Sequence, residues 1–207
     1  MSVLCIDIGI KNLAFCLSDE NLNIELWKNV DILNEIINCK ICKIKAKYRD
    51  KDSGLYYCGR HKNNSKQQEK IKEIKLKNIQ LNFLVYKLLE SLKFLNNLDS
   101  NTIIRIELQP AKNPKMKLIS HCVYSKCIEI FGYNNVKFMR ATQKLKKVNK
   151  EEKSTYSDRK KTSIELTTRM LKKHNKINDL TFFNNSQKKS DLADTFLMCC
   201  VYHSLFE

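Results

Sequence analysis

Apolar and polar residues alternate in recognisable blocks along the chain. Val3 to Ile8 is a short apolar run broken by one charge, Asp7, and predicts a buried strand. Lys11 and Asn12 make a turn, Leu13 to Leu17 resumes as a second strand, and Asn23 to Val30 alternates as a third. Together they predict an antiparallel meander. Residues 31–64 break the pattern with cysteines and a lysine-rich, turn-prone stretch. A long helix is then expected from Gln67 to Leu95, because Leu81, Val85, Leu88, Leu92 and Leu95 recur at helical steps. Thr102 to Leu108 predicts a strand, Met116 to Phe131 a helix and Asn135 to Arg140 a strand. Further helices are expected at Asp158 to His174 and Ser190 to Leu205, joined by a polar loop. Strands first, then alternating helix and strand, predict an α/β fold on a mixed five-stranded sheet flanked by helices.

Length and composition narrow the class. The 207 residues suit one domain spanning 1–207, with residues 31–64 as an insertion. A hydrophobic content of 43% with 4 Gly and 2 Pro fits a fold rich in regular structure. Lys and Arg number 38 against 22 Asp and Glu, a net charge of +16. That surplus suits a polyanionic partner, nucleic acid ahead of an anionic membrane surface, because each neutralised phosphate releases counterions. No apolar run approaches the roughly 20 residues of a membrane span. MSVLCIDIG enters a strand without a leader-like segment, so a soluble, intracellular protein is expected. Nine cysteines then read as reduced thiols or metal ligands before disulfides.

Four carboxylates stand where charge is expensive. Asp7 interrupts VLCIDIG, Glu107 interrupts IIRIELQP, and Asp191 and Asp194 open the last helix. A charge within a strand built for burial is unfavourable by several kcal/mol (order of magnitude) unless paired or bound to metal. A satisfied structural pair explains any one of them alone, and a first-turn position against the helix dipole also explains Asp191 and Asp194. Those two are three residues apart, on the stripe continued by Met198, Val201 and Leu205, so both are expected to face the protein body. Four converging carboxylates describe a hard-cation site for Mg²⁺ or Mn²⁺. A pair of such metals, about 3.5–4 Å apart, suits phosphodiester hydrolysis.

The blocks DIGIKNLA from Asp7, IELQPAKNPKMK from Ile106, TYSDRKKTSIE from Thr155 and KKSDLADTF from Lys188 resemble the poxvirus Holliday junction resolvases. That family is similar to the bacterial RuvC and mitochondrial junction resolvases. The resemblance runs from the N-terminus to the last helix and skips residues 31–64. It implies an RNase H-like fold, Mg²⁺-dependent cleavage of four-way (Holliday) junctions, a homodimer, and a viral enzyme acting in the host-cell cytoplasm. It implies metal ligation by Asp7, Glu107, Asp191 and Asp194. It also implies a lysine near the scissile phosphate, at Lys160 or Lys161. Read as residues alone, those two lysines are by default a solvated first turn. The basic stretch from Lys137 to Lys176, with Lys144, Lys146, Lys147 and Lys150, fits phosphate contacts. Another RNase H-like nuclease and a non-catalytic zinc-containing DNA-binding protein are the competing readings.

Cys39, Cys42, Cys58 and His61 form C-x2-C-x15-C-x2-H. Two such pairs, each on a tight turn, predict a closed tetrahedral Zn²⁺ site of structural type. Two disulfides are the alternative. The cluster is no part of the resolvase pattern. Its basic surroundings (Lys40, Lys43, Lys45, Lys47, Arg60, Lys62) suggest a small knuckle that touches DNA. Cys5, Cys16, Cys122, Cys127, Cys199 and Cys200 read as small core residues.

Overall fold

Strands β1 (Val3–Ile8), β2 (Asn12–Ser18) and β3 (Ile24–Asp31) form the expected antiparallel meander. The computed structural model describes all residues except 34–37, 43, 65–70, 74–79, 111, 142–154 and 207. The turn after β1 requires glycine. Gly9 donates its N–H to the Asn12 carbonyl at 2.8 Å, and a Cβ would lie 2.8 Å from that same oxygen. Strand β7 (Ile103–Glu107) pairs parallel with β1, and β8 (Val136–Met139) pairs parallel with β7. The order β3-β2-β1-β7-β8 is a mixed five-stranded sheet.

The two-residue period of β1 divides the core. Leu4, Ile6 and Ile8 face one side, with Ile104 and Ile106 of β7. There they meet Leu84 and Leu88 of α1 (Leu81–Ser91) and Met116, Ile119 and Val123 of α2 (Pro114–Phe131). Asn113 caps α2, its side chain accepting from the Met116 N–H at 3.2 Å. Val3 and Cys5 face the other side, against α3 (Tyr156–Lys173), α4 (Ile177–Asn185) and α5 (Lys189–Tyr202). Asp7 lies in phase with Val3 and Cys5 and so faces the α5 layer.

Two expectations are corrected. Residues 71–73 of the expected long helix form a strand, β6 (Ile71–Glu73), although Lys and Glu there favour helix. Pairing with the free edge of β4 (Tyr48–Asp50) overrides the local propensity. The helix proper begins at Leu81, and the expected start at Gln67 lies outside the described residues. The apolar stripe itself is real, since Leu84, Leu88, Leu92 and Leu95 are buried. The polar loop before the last helix contains α4. Asn175, in the left-handed region at φ 54°, ends α3, and Phe183 then anchors the short helix by full burial.

Strands β5 (Tyr56–Tyr57), β4 and β6 form a separate three-stranded antiparallel sheet in the order β5-β4-β6. This small sheet extends past residue 64. Among the described residues, no helix is long and apolar enough to cross a membrane.

Candidate metal centres

Asp7 is the penultimate residue of β1, and Glu107 is the last of β7. The parallel register pairs Ile6 with Ile106, so the next position outward sets Asp7 beside Glu107. Antiparallel pairing aligns Asp7 with Ala14, and Ala14 with Asn29. One row therefore crosses four strands on the α5 side: Asn29, Ala14, Asp7, Glu107. The small Ala14 side chain leaves room for α5 to lie close above it.

Helix α5 is held over this row by Trp27, whose indole N–H donates to the Leu192 carbonyl at 3.1 Å. The indole stacks on Phe183 with ring centres 5.3 Å apart and packs against Phe196. Farther along, the Cys199 thiol donates to the Cys16 carbonyl at 3.4 Å. So fixed, α5 brings Asp194 to Asp7 and Glu107. Oxygens of the three half-buried carboxylates lie within 4.8 Å of one another. At that distance like charges repel, and a cation relieves them.

Asp191 is not one of these three. It lies one turn earlier on α5, where its carboxylate accepts from the Asn29 side chain at 3.1 Å and the Ser190 hydroxyl at 3.0 Å. With neighbouring strands roughly 4.8 Å apart, Asn29 and Asp7 are about 9.6 Å from each other. The two aspartates therefore share a helix face but meet different strands. Ser163 of α3 donates to Asp194 at 3.3 Å. Sequence reading missed Ser163 and Asn29, although Asn29 is a polar residue in phase with the inward-facing Trp27. Lys160 is half-buried and three residues before Ser163, on its helix face, whereas Lys161 is exposed. Lys144, Lys146, Lys147 and Lys150 lie outside the described residues, as does Lys43.

The second cluster joins two tight turns. The His61 Nδ1 is 3.5 Å from both the Cys39 and Cys58 sulfurs, and the Cys42 and Cys58 sulfurs are 3.7 Å apart. Tetrahedral Zn²⁺ with ordinary bond lengths sets S···S near 3.8 Å and S···N near 3.6 Å (approximate values), so this donor set fits zinc. All nine cysteines are free thiols, and 3.7 Å is far beyond the roughly 2.05 Å of a disulfide. The Cys39 N–H donates to the Ile44 carbonyl at 2.7 Å, and the His61 N–H to the Cys58 carbonyl at 3.2 Å. Burial pushes the Cys39 thiol up. Backbone N–H groups of Cys42, Cys58 and Ile41, with His61, outweigh it and bring the thiol down to about 5. The remaining cysteines behave as core residues: Cys5, Cys16, Cys127, Cys199 and Cys200 are buried, and Cys122 is half-buried.

No protein-family model matches the chain, and no curated protein matches it by sequence. Solved structures do. The fowlpox virus resolvase, solved in complex with its substrate Holliday junction DNA, aligns with a TM-score of 0.51 at 18% identity, over 99% of this chain and 98% of that one. The yeast mitochondrial Holliday junction resolvase aligns with a TM-score of 0.52 at 17% identity, over 99% of this chain and 79% of that one. The mixed sheet with flanking helices is the RNase H-like architecture that the resemblance implied, and the chain shares the fold of these two resolvases.

Proposed function

We propose that this chain is a structure-selective endodeoxyribonuclease that resolves four-way DNA junctions, using a divalent cation held by Asp7, Glu107 and Asp194. The observation that carries the reading is the meeting of these three carboxylates, from three separate elements, within 4.8 Å in a chain of net charge +16. Half-buried oxygen donors suit Mg²⁺ or Mn²⁺, which supply activation of a water and stabilisation of the leaving oxygen in phosphodiester hydrolysis. Asp191, fixed by Asn29 and Ser190, serves the same centre as its outer, fourth carboxylate. Ser163 orients Asp194, and Lys160, on the same face of α3, meets the scissile phosphate in preference to Lys161. The Cys39, Cys42, Cys58 and His61 cluster holds a structural Zn²⁺.

Paired cuts on opposing strands of a nearly two-fold junction call for two active sites, so we infer a homodimer. Nine cysteines outside any disulfide, three of them given to zinc, fit a reducing, intracellular setting, which for a viral enzyme is the host-cell cytoplasm. The test is incubation of the purified chain with a synthetic four-way junction and Mg²⁺, beside flap, duplex and RNA–DNA hybrid substrates. Symmetric nicks confined to the junction are expected. Preferential cutting of the hybrid would point to another nuclease of this fold. Binding without cleavage in either Mg²⁺ or Mn²⁺ would point to a zinc-containing DNA-binding protein.

A further inference from the structure

The small sheet lies outside the carboxylate centre, and its two faces differ. Register across its three strands aligns Tyr56, Arg49 and Lys72 in one row, and Tyr57, Tyr48 and Glu73 in the next. Adjacent rows point to opposite faces. On the second face Tyr57 is buried, and the Lys62 ammonium lies 5.4 Å from the Tyr48 ring centre. On the first face Arg49 and Lys72 are exposed, and Lys51 joins them from the turn that follows β4.

That turn is rigid. The Gly54 N–H donates to the Asp50 carbonyl at 3.0 Å, the Asp52 N–H to the Asp50 carboxylate at 3.0 Å, and the Asp50 N–H to the Leu55 carbonyl at 2.9 Å. Asp50 is itself buried, so its charge is not presented beside the lysines. The Lys72 ammonium pulls the Lys51 amine below the usual lysine range, and Asp52 offsets this only in part. The Arg49 guanidinium lies 5.7 Å from the Tyr56 ring centre, which extends it across the face. Three cations are thus held side by side, two of them crowded against each other, on a platform tied together by the Cys/His cluster. Such crowding is relieved by an anion that spans several positive charges, and a phosphodiester backbone is one.

We propose that the Arg49, Lys51 and Lys72 face of the small sheet is a second DNA-binding surface, which grips the phosphate backbone of a duplex arm of the junction. The inference rests on the reading of the chain as a junction-binding nuclease. Contacts of this kind position the arm and carry no sequence information.

The test uses the full-length, zinc-loaded protein and a labelled four-way junction, with Ca²⁺ present and fluorescence anisotropy followed from 50 to 300 mM salt (approximate range). The variant Lys51→Ala/Lys72→Ala is compared with Lys93→Ala/Lys126→Ala. The control removes the same charge from lysines that already pair with Glu90 and Glu129. For the first pair, affinity near 0.1 M salt should fall roughly 10-fold or more, and the slope of log affinity against log salt should drop by about 1.8, near 0.9 per lost phosphate contact. The control should hold both values. Adding Arg49→Ala should lower the slope by about one further unit. Equal changes in the two pairs, or none in the first, would overturn the proposal while leaving the nuclease reading intact. Failure of the unaltered protein to bind any DNA would overturn both. Zinc content measured on each variant separates a lost contact from a lost fold. Should Lys51→Ala/Lys72→Ala lose its metal, Lys51→Gln/Lys72→Gln that keeps zinc must show the same slope change, or the proposal fails.

Discussion

The two clusters of ligand residues are built on opposite principles. Asp7, Glu107 and Asp194 come together because a sheet buried on both faces and a clamped helix leave them no other place. The positions below them, Cys5 and Ile106, are fully buried, and Trp27 ties α5 to the strands. Cys39, Cys42, Cys58 and His61 stand on turns beside a sheet of two- and three-residue strands with very little apolar core of its own. The carboxylates are brought together by the fold, so the proposed cation would meet a finished site. The proposed zinc would instead have to assemble the fold around its ligands. Carboxylate variants should therefore lose chemistry and keep structure, and thiolate variants should do the reverse.

Removing zinc gives the largest expected effect. Cys39→Ser/Cys42→Ser, or prolonged chelation, should release one Zn²⁺ per chain, because closed sites of this kind contribute on the order of 10 kcal/mol to folding in isolated peptides. Elemental analysis checks the metal. Hydrogen exchange should then show β4 and β5 opening while β1, β2 and β7 stay protected. Protection lost throughout would break the contrast between the two regions. Acid should act in the same direction. The Cys39 thiol is lowered from the ordinary 9.0 to about 5, so the thiolate's contribution is full only above 9.0, shrinks as pH falls, and is gone below about 5.

Next come the carboxylates. Asp7→Asn, Glu107→Gln and Asp194→Asn should each reduce junction cleavage by more than the roughly 10- to 100-fold typical of losing an outer partner of a metal site. Junction binding should be spared, since it depends on the basic surface. The melting temperature should hold or rise, because each change removes one of three mutually repelling charges. A variant that cuts at the normal rate removes that residue from the site. Asn29→Ala and Ser163→Ala probe the outer partners and should fall within the 10- to 100-fold range (order of magnitude), read as a higher Mg²⁺ concentration for half-maximal cleavage.

These partners also mark where sequence reading stops. Asp7 and Glu107 were legible because a carboxylate in a largely apolar strand is anomalous at the level of a few neighbouring residues. The Cys/His spacing was legible for the same local reason. Asn29 and Ala14 were not, because their place in the row depends on register between strands, which no local pattern records. The three-residue spacing of Asp191 and Asp194 correctly placed both on one helix face. It could not show that the sheet beneath would offer Asn29 to the first and Asp7 with Glu107 to the second. Strand β6 was hidden by helix-favouring lysine and glutamate, and exists because β4 had an edge to pair.

The smallest expected effect tests whether α3 serves the carboxylate centre through Lys160. Thr155 and Asp158 form a reciprocal cap at the start of this helix. The Thr155 hydroxyl accepts from the Asp158 N–H at 3.2 Å, and the Asp158 carboxylate accepts from the Thr155 N–H at 3.0 Å. Losing such a cap destabilises by about 1 kcal/mol, a shift of roughly 2–4 °C in melting temperature for a chain of this size. Lys160 lies in the second turn, where fraying would spread, whereas Ser163 is buried one turn deeper and should hold Asp194 in place. Thr155→Ala should therefore slow cleavage a few-fold while leaving the Mg²⁺ concentration for half-maximal rate unchanged. Lys160→Ala should reproduce the loss and more, and Lys161→Ala should not. If Thr155→Ala instead raises the Mg²⁺ requirement, the start of α3 acts on the metal centre through Ser163, and the lysine's role at the phosphate falls.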